Sequence, residues 1–482
     1  RPQGMHRSIA TSTSARFTYS RVPALTGARR LCRFSDASGR WRGPERSAKL
    51  WLPQYFPPPM SLSPLFRHAL LALASLLLGA CASAPRPSSH PGPTPALLLI
   101  SVDGLRADAL GKGDTPVLDR LAAEGVRAAA MRPSYPVLTF PNHYTLVTGL
   151  RPDRHGVVHN IMEDPGLGRF LVADAAAGRH PGWWQAEPLW TSAERAGLAT
   201  AVWAWPGSTA PRDGLLPRYL QPFDRSPPLP ERMERVAAWL AGREGPPARL
   251  AAVYIETVDG AGHSHGPHAA ATVEAIREMD AAVGLLLEQL EAAGLRQNTN
   301  IVVVSDHGMA DVAPDHYIAV EDLASPEEAR VVSIGQVIGL APNPGYEAQV
   351  EARLLGRHPP YECWRKQDLP PRWDYGRHPR VPPLLCQLDE GWTALPAATK
   401  ARRDASGRHD RGAHGYEPDS PTMQAVFLAH GPSFARGRQL PAFDNVDLYP
   451  LLARLLGLQP QPNDGDPTTL LPALRTPDSA NP

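Results

Sequence analysis

Residues 97–104 read LLLISVDG, and this stretch sets the fold of the chain. An apolar run without charge is followed at once by Asp103 and Gly104, a turn signal. Such a run is typical of a strand that is buried on both faces of a sheet. Similar runs at 250–256 and 300–305 also lead into carboxylates, at Asp259 and Asp306. Repetition of the pattern predicts several parallel strands that end at one edge of a sheet.

The whole chain alternates between apolar runs and amphipathic segments. The predicted strands are 97–102, 200–205, 250–256, 300–305, 330–340 and 423–429. The predicted helices are 116–124, 189–196, 230–241 and 272–293. Strands that alternate with helices predict an α/β fold with a mostly parallel central sheet flanked by helices.

The 482 residues include 54 prolines and carry a net charge of +1. A balanced charge implies no strongly basic or acidic partner, and no nucleic-acid partner is expected. We also expect a monomer, on which the charge has no bearing. One domain is predicted over 96–457, with an irregular insertion at about 342–405 that lacks a core of its own. A closing helix is expected at 444–456, and 458–482 is expected to be a loose C-terminal tail.

The N-terminal segment has a different composition. Residues 1–59 are rich in Arg, Ser and Pro, and we interpret them as an upstream over-extension. Residues 60–81 combine a short basic stretch, a short apolar stretch and LGAC at 78–81, which resembles a bacterial lipoprotein signal. The alternative is an ordinary secretory signal that is cut near Ala80. We expect a periplasmic protein, anchored to the outer membrane by a lipid on Cys81 and a tether at 82–95, or else a secreted protein.

Two cysteines remain outside this N-terminal segment, Cys363 and Cys386. An even pair is compatible with one disulfide in an oxidising compartment. Two unpaired thiols are the alternative that the spacing leaves open.

Carboxylates and imidazoles collect after the predicted strands. The fragments are SVDG at 101–104, TVDGAGH at 257–263, SDHGM at 305–309 and GAHGY at 412–416. Their oxygen and nitrogen atoms suit zinc, and the set is large enough for two metal ions, as in phosphoryl-transfer sites. The candidate ligands are Asp103, Asp259, His263, Asp306, His307 and His414.

Residues 137–149, VLTFPNHYTLVTG, indicate a helix start. Thr139 has the residue type of an N-cap, and Pro141 suits the first turn. A threonine at a helix start would also lie in a positive field, with backbone N–H donors for an anion. The local sequence therefore allows two interpretations of Thr139, a cap or a nucleophile. His143 in the same stretch is expected to be a packed or hydrogen-bonded residue.

With TFPNH at 139–143, these fragments resemble the motif series of the nucleotide pyrophosphatase/phosphodiesterase family of the alkaline phosphatase superfamily. The resemblance covers about residues 96–457. It implies one zinc ion held by Asp259, His263 and His414. It implies a second held by Asp103, Asp306 and His307, together with the Thr139 oxygen.

The resemblance also implies substrate contacts. Asn160, in RHGVVHN, matches an asparagine that hydrogen-bonds a phosphate oxygen. Phe140 and Tyr254 match aromatic positions that flank a nucleobase, and Phe223 is a third candidate. For all three rings, packing in the core is the alternative.

The expected activity is zinc-dependent hydrolysis of phosphodiester or pyrophosphate bonds in nucleotides. Thr139 would form a phosphothreonine, and a nucleoside 5′-monophosphate would be released. A lysophospholipid, another lipid phosphodiester or a phosphonate is the alternative substrate within the superfamily. A non-catalytic envelope lipoprotein on the same scaffold is the alternative from another class.

Overall fold

The structure is a computed structural model, and it describes residues 94–476. The segment 1–59, the signal-like segment 60–81 with Cys81, and almost all of the tether at 82–95 lie outside the described residues. None of the helices in the described part combines the length and the apolar character that crossing a membrane requires.

Two sheets contain thirteen strands of the described chain. In chain order these are β1 (Ala96–Val102), β2 (Val126–Ala128), β3 (Thr200–Trp203), β4 (Tyr219–Gln221), β5 (Leu250–Ile255), β6 (Thr299–Val304), β7 (Ala329–Ser333), β8 (Val337–Pro342), β9 (Gly356–His358), β10 (Tyr361–Arg365), β11 (Leu384–Leu388), β12 (Phe427–His430) and β13 (Arg438–Leu440).

The central sheet has eight strands in the order β13-β2-β12-β6-β1-β5-β3-β4. Strand β1 pairs in parallel with β5 and β6, so that Ile100 lies opposite Val253 and Val303. Strand β12 runs antiparallel to both of its neighbours. All residues of β5 and β6 are buried, which explains their continuous apolar sequences. The predicted α/β fold with a mostly parallel central sheet is confirmed.

Eleven α-helices accompany the strands in the described residues. They are α1 (Pro116–Glu124), α2 (Thr139–Thr148), α3 (Pro152–His155), α4 (Ala175–Gly178), α5 (Leu189–Arg195), α6 (Leu229–Leu240), α7 (Thr257–His265), α8 (Ala270–Ala292), α9 (Glu347–Leu354), α10 (Ala397–Ser406) and α11 (Leu448–Leu455). The four predicted helices correspond to α1, α5, α6 and α8. Helix α8 buries a stripe that includes Ile276, Val283 and Leu290, at the spacing of one helix face.

The second sheet is antiparallel, with the order β7-β8-β11-β10-β9. The prediction of one strand over 330–340 is wrong, because β7 and β8 form a hairpin within that range. The expectation that 342–405 lacks a core is also wrong. Ile338, Leu340, Leu384 and Leu388 belong to a hydrophobic cluster separate from the main one.

Cys363 and Cys386 form a disulfide within the second sheet. They lie directly opposite each other on the neighbouring strands β10 and β11. The bonded alternative of the two sequence interpretations is therefore the one observed.

A loose tail was expected after residue 457, but the part of it that the structure describes, up to residue 476, is attached to the rest of the protein. The backbone N–H of Asp464 donates to the Gly149 carbonyl oxygen at 2.8 Å, and the N–H of Arg151 donates to the Asp464 carboxylate at 2.9 Å. Leu470 and Ala473 are buried. These contacts attach the segment to the end of α2 and to the main core.

Candidate active site

Three carboxylates meet at the carboxyl ends of the central strands. Asp103 follows β1, Asp306 follows β6 after one residue, and Asp259 lies in the first turn of α7, which comes after β5. Gly104 makes this approach possible, because its φ is +71° and an added Cβ would lie 3.1 Å from the Asp259 Cα. Asp103 and Gly104 thus form a turn, and the missing side chain of Gly104 lets Asp259 come close to Asp103.

Each of the three candidate histidines has its Nδ1 on a backbone carbonyl oxygen. The Nδ1 atoms of His263, His307 and His414 lie 2.8, 2.9 and 2.9 Å from the oxygens of Gly412, Gly308 and Val137. A carbonyl only accepts, so each Nδ1 is the donor and each neutral ring carries its lone pair on Nε2. Metal-binding histidines are commonly oriented in this way by a second partner.

The Nε2 atoms face the carboxylates. His263 and His414 place Nε2 at 3.4 and 3.6 Å from Asp259 Oδ1. His307 places Nε2 at 3.0 Å from Asp306 Oδ2 and 3.4 Å from Asp103 Oδ1. A short antiparallel pair, Ala310–Asp311 with Gly412–Ala413, brings His414 to this position from late in the chain.

These atoms form two groups of suitable size for metal ions. One group consists of Asp259, His263 and His414, the set expected for one zinc ion. The other consists of Asp103, Asp259 and His307, so that Asp259 belongs to both groups. The sequence had assigned Asp306 to the second set, and its carboxylate does contact His307 there.

The carboxylates have the free atoms that metal ligation requires. Tyr254 donates to Asp103 Oδ2 at 2.6 Å, and the N–H of Gly104 donates to Asp306 Oδ1 at 3.3 Å. The atoms Asp103 Oδ1, Asp306 Oδ2 and Asp259 Oδ1 are buried without a hydrogen-bond partner in the described structure. Buried unpaired oxygens are costly, and a divalent cation would satisfy them. The residues therefore fit a metal centre.

The electrostatics of the cleft agree with this fit. Burial raises the pKa of Asp103, and the negative charges of Asp259 and Asp306 raise this pKa further. Burial also raises the pKa of Asp306, but His307 and His143 outweigh it and hold that pKa well below its usual range. Burial and two neighbouring imidazoles lower the pKa of His414 well below its usual range, which favours its neutral, ligating form.

Thr139 is the first residue of α2, and the prediction that it caps this helix is wrong. The N-cap position belongs to Leu138, whose side chain makes no capping hydrogen bond. The hydroxyl of Thr139 instead lies 3.4 Å from His307 Nε2. Thr139 is therefore placed beside the candidate ligands, with its side chain free of a structural role in the helix start.

Asn160 adjoins the same helix start. Its Oδ1 accepts the backbone N–H of Phe140 at 3.0 Å, which leaves its Nδ2 as a donor for an anion. The N–H of Phe140 is thereby occupied, and Pro141 has none. The expectation of several free backbone donors at this helix start is thus reduced, and the amide of Asn160 takes their place.

The three aromatic candidates lie in different surroundings. Phe140 is half-buried and packs near Trp184, with ring centroids 6.0 Å apart. Tyr254 is buried, and sequence reasoning missed the hydrogen bond of its hydroxyl to Asp103. Phe223 is 52% exposed and lies 6.1 Å from the Tyr254 ring. Only the position of Tyr254, five residues before Asp259, could have indicated a role at the metal centre.

His143 is held within the protein, as expected. Its Nδ1 donates to the Thr139 carbonyl oxygen at 2.9 Å, and its Nε2 accepts the Ser101 hydroxyl at 2.9 Å. Both ring nitrogens therefore have partners, and His143 supports the backbone of Thr139. His409, five residues before His414, contacts Asp404 instead of the candidate ligands.

A mostly parallel α/β sheet with carboxylates and histidines at its strand ends, beside a threonine at a helix start, defines an alkaline phosphatase-like metallohydrolase site. The sequence model of the type I phosphodiesterase / nucleotide pyrophosphatase family matches residues 97–417. This match covers more than half of the chain, so the chain belongs to that family, as the motifs had predicted.

Several known proteins are similar to the chain. Ectonucleotide pyrophosphatase/phosphodiesterase family member 3 of Mus musculus is 32% identical over 83% of this chain and 46% of its own length. The chain thus spans about half the length of that relative. Bis(5′-adenosyl)-triphosphatase ENPP4 of Bos taurus is 31% identical over 82% of this chain and 84% of its own length.

A solved structure shares the fold. Murine ectonucleotide pyrophosphatase/phosphodiesterase 5, in an inactive threonine-to-alanine variant in complex with AMP, is 31% identical to the chain. The match has a TM-score of 0.74 and covers 79% of this chain and 100% of the other.

Proposed function

We propose that this protein hydrolyses phosphodiester or pyrophosphate bonds in nucleotides with the help of two zinc ions and a phosphothreonine intermediate. The observation that carries the proposal is the position of the Thr139 hydroxyl, 3.4 Å from His307 Nε2 and inside the set of orphaned carboxylates. The inactive threonine variant of the murine relative, and the triphosphatase name of the bovine one, support it.

Six side chains would hold the metal ions. Asp259, His263 and His414 form one set, and Asp103, Asp306 and His307 form the other, with the Thr139 oxygen beside it. When bound, two divalent ions lower the pKa of a hydroxyl and neutralise charge on a phosphoryl group.

Thr139 supplies the nucleophile. Its Oγ1 gives its proton to solvent and forms a bond to phosphorus, while the bond from phosphorus to the leaving oxygen breaks and its electron pair departs with that oxygen. The nucleoside stays on the phosphorus, which is now esterified to Thr139. Water then cleaves the Thr139 phosphoester, which restores the hydroxyl and releases the phosphomonoester. For a nucleoside triphosphate or a dinucleotide, the product is a nucleoside 5′-monophosphate.

Asn160 and His143 position the reacting groups. The Asn160 Nδ2 is directed to a non-bridging phosphate oxygen, because Oδ1 is fixed by the N–H of Phe140. His143 holds the carbonyl of Thr139 and thus the start of α2. Donors that are fixed before the reaction stabilise charge without reorganisation, which is the main electrostatic contribution to such catalysis.

The aromatic side chains support a nucleotide as the substrate. Phe140 follows the nucleophile directly, and Phe223 is an exposed ring near Tyr254. Stacking on such rings accepts many bases, so a broad choice of nucleobase is expected.

The test compares three substrates with the zinc-loaded protein: a nucleotide phosphodiester, a choline-headed phospholipid and a simple phosphomonoester. We expect the nucleotide diester to have the highest kcat/KM. A phosphomonoester preferred by orders of magnitude would overturn the phosphodiesterase assignment. Preference for the lipid would replace the nucleotide as the substrate class.

A further inference from the structure

An open cavity of about 720 Å³ is lined in part by Ser264 and His265, the two residues that follow the candidate ligand His263. Four arginines, two histidines and three hydroxyl side chains line it, with Asp410 as the single carboxylate. Such a lining has a clear excess of positive charge and is suited to an anion with several oxygens.

Most of this charge is not neutralised by the protein. Arg403 pairs with Asp410. Arg402, Arg408 and Arg411 are exposed, and none of them forms an ion pair within residues 94–476. Arg402 donates to the Thr399 hydroxyl at 2.9 Å. These three residues, called the arginine pocket below, keep their charge available for a ligand.

The arginine pocket adjoins one particular side of the metal centre. The backbone N–H of Arg411 donates to the His263 carbonyl oxygen at 2.7 Å, and Ser264 and His265 follow His263 along α7 into the lining. The pocket therefore lies against the group of Asp259, His263 and His414.

The aromatic rings of Tyr254 and Phe223 lie on the side of the other group of candidate ligands, the one that contains Asp103. Tyr254 donates to Asp103, and Phe223 lies near Tyr254. A phosphodiester that spans the two groups would direct one substituent towards the rings and the other towards the arginines. A nucleoside suits the aromatic side, and an anionic substituent suits the arginine side.

We propose that the arginine pocket binds the oligophosphate part of the substrate that leaves on cleavage. This inference rests on the proposed function. As the bond from the α-phosphorus to the bridging oxygen breaks, the electron pair stays on the leaving phosphate, whose additional negative charge faces the guanidinium groups. The pocket thus selects substrates whose leaving group carries at least one further phosphate.

The double variant Arg408→Gln/Arg411→Gln tests the proposal by the ratio of two kcat/KM values. One substrate is ATP, and the other is the p-nitrophenyl ester of thymidine 5′-monophosphate, whose leaving group has no phosphate. We expect the ratio of ATP to the ester to fall by at least about tenfold, since hydrogen bonds to charged groups are of that size.

A matched control removes two other exposed arginines, Arg243→Gln/Arg436→Gln. We expect this variant to keep the ratio within about twofold, because distant exposed charges are screened by salt. An unchanged ratio in the pocket variant, or an equal fall in the control, would overturn the proposal.

A second measurement does not depend on turnover. Titration calorimetry gives the Kd of inorganic triphosphate for the zinc-loaded wild type, the pocket variant and the control at equal zinc concentration. We expect a Kd at least about tenfold weaker in the pocket variant alone. If the Kd weakens in this way but the protein hydrolyses no nucleotide, the proposed function is wrong and only the binding of oligophosphate by the arginine pocket is supported. If nucleotides are hydrolysed but neither the Kd nor the kcat/KM ratio changes in the pocket variant, the role proposed for the arginine pocket is wrong and the proposed function stands.

Discussion

Thr139 shows how one residue can satisfy a structural pattern without performing the structural task. Its type and its place before Pro141 predict a cap, yet the N-cap position belongs to Leu138 and Thr139 is the first residue of α2. The hydroxyl contacts His307 Nε2 instead. The residue is therefore available for chemistry, and its loss should separate stability from activity.

The variants Thr139→Ala and Thr139→Asn make this separation measurable. A lost cap costs about 1 kcal/mol, so we expect the alanine variant to keep its free energy of unfolding within about 0.5 kcal/mol. Its kcat should fall at least about 1000-fold, as for loss of a nucleophile. Asparagine, which is polar but has no hydroxyl, should be equally inactive. Denaturant unfolding and steady-state kinetics with equal zinc content provide the comparison, and substantial activity in either variant would exclude Thr139 as the nucleophile.

Residue identities at the strand ends were readable from the sequence, whereas their hydrogen-bond partners were not. Asp103 and Asp306 follow continuous apolar runs, which made them recognisable as strand-end residues. The carbonyl oxygens that orient His307 and His414 belong to Gly308 and to Val137, the latter 277 residues away from its histidine. Contacts of that separation depend on the folded chain and leave no local pattern.

At the scale of elements, Arg380, which lies between β10 and β11 of the second sheet, holds the segment that follows helix α3 and carries Asn160. Arg380 donates to the carbonyl oxygens of Gly156, Trp183 and Gly182, and to the Asp164 carboxylate at 2.8 Å. These partners lie on both sides of Asn160 in sequence or pack beside that segment. Arg380 is thus a positioning residue for the segment that carries Asn160, the amide that we propose binds the phosphate.

Replacement of Arg380 by lysine should loosen this segment, because an ammonium group cannot reproduce the planar set of donors. We expect kcat to fall by about tenfold or more at unchanged zinc content, since small misplacements of a binding group are costly. The matched control is Arg377→Gln, whose arginine lies three residues before Arg380 but has a side chain that is 77% exposed. Equal losses in both variants, or loss of zinc in Arg380→Lys, would contradict the positioning role.

Elements with strong periodicity were predictable, and those set by distant pairing were not. The apolar runs of β1, β5 and β6 and the helix α1 are found close to their expected bounds. The run at 330–340 looked like one strand, because an apolar stretch does not reveal a hairpin that turns between Ser333 and Val337. The second sheet was missed, because its short strands are separated by proline-rich loops without a period.

At the scale of the whole molecule, the site has two unlike flanks. Aromatic side chains adjoin the group that contains Asp103, and the arginine pocket adjoins the group that contains His263. A cationic choline headgroup would be repelled on the arginine side, whereas an oligophosphate would be attracted. The arrangement therefore favours a nucleotide over a choline-headed lipid as the substrate.

The most direct test of the proposed function is the detection of the covalent intermediate. The zinc-loaded protein is mixed with excess nucleotide diester, quenched in acid within one turnover, digested and sequenced by mass spectrometry. We expect one nucleoside 5′-monophosphoryl group on the peptide with Thr139, joined through phosphorus to the oxygen of that residue, and none in Thr139→Ala. Full turnover with no nucleotidylated peptide at Thr139, or with the nucleotidyl group on another residue, would contradict the assignment.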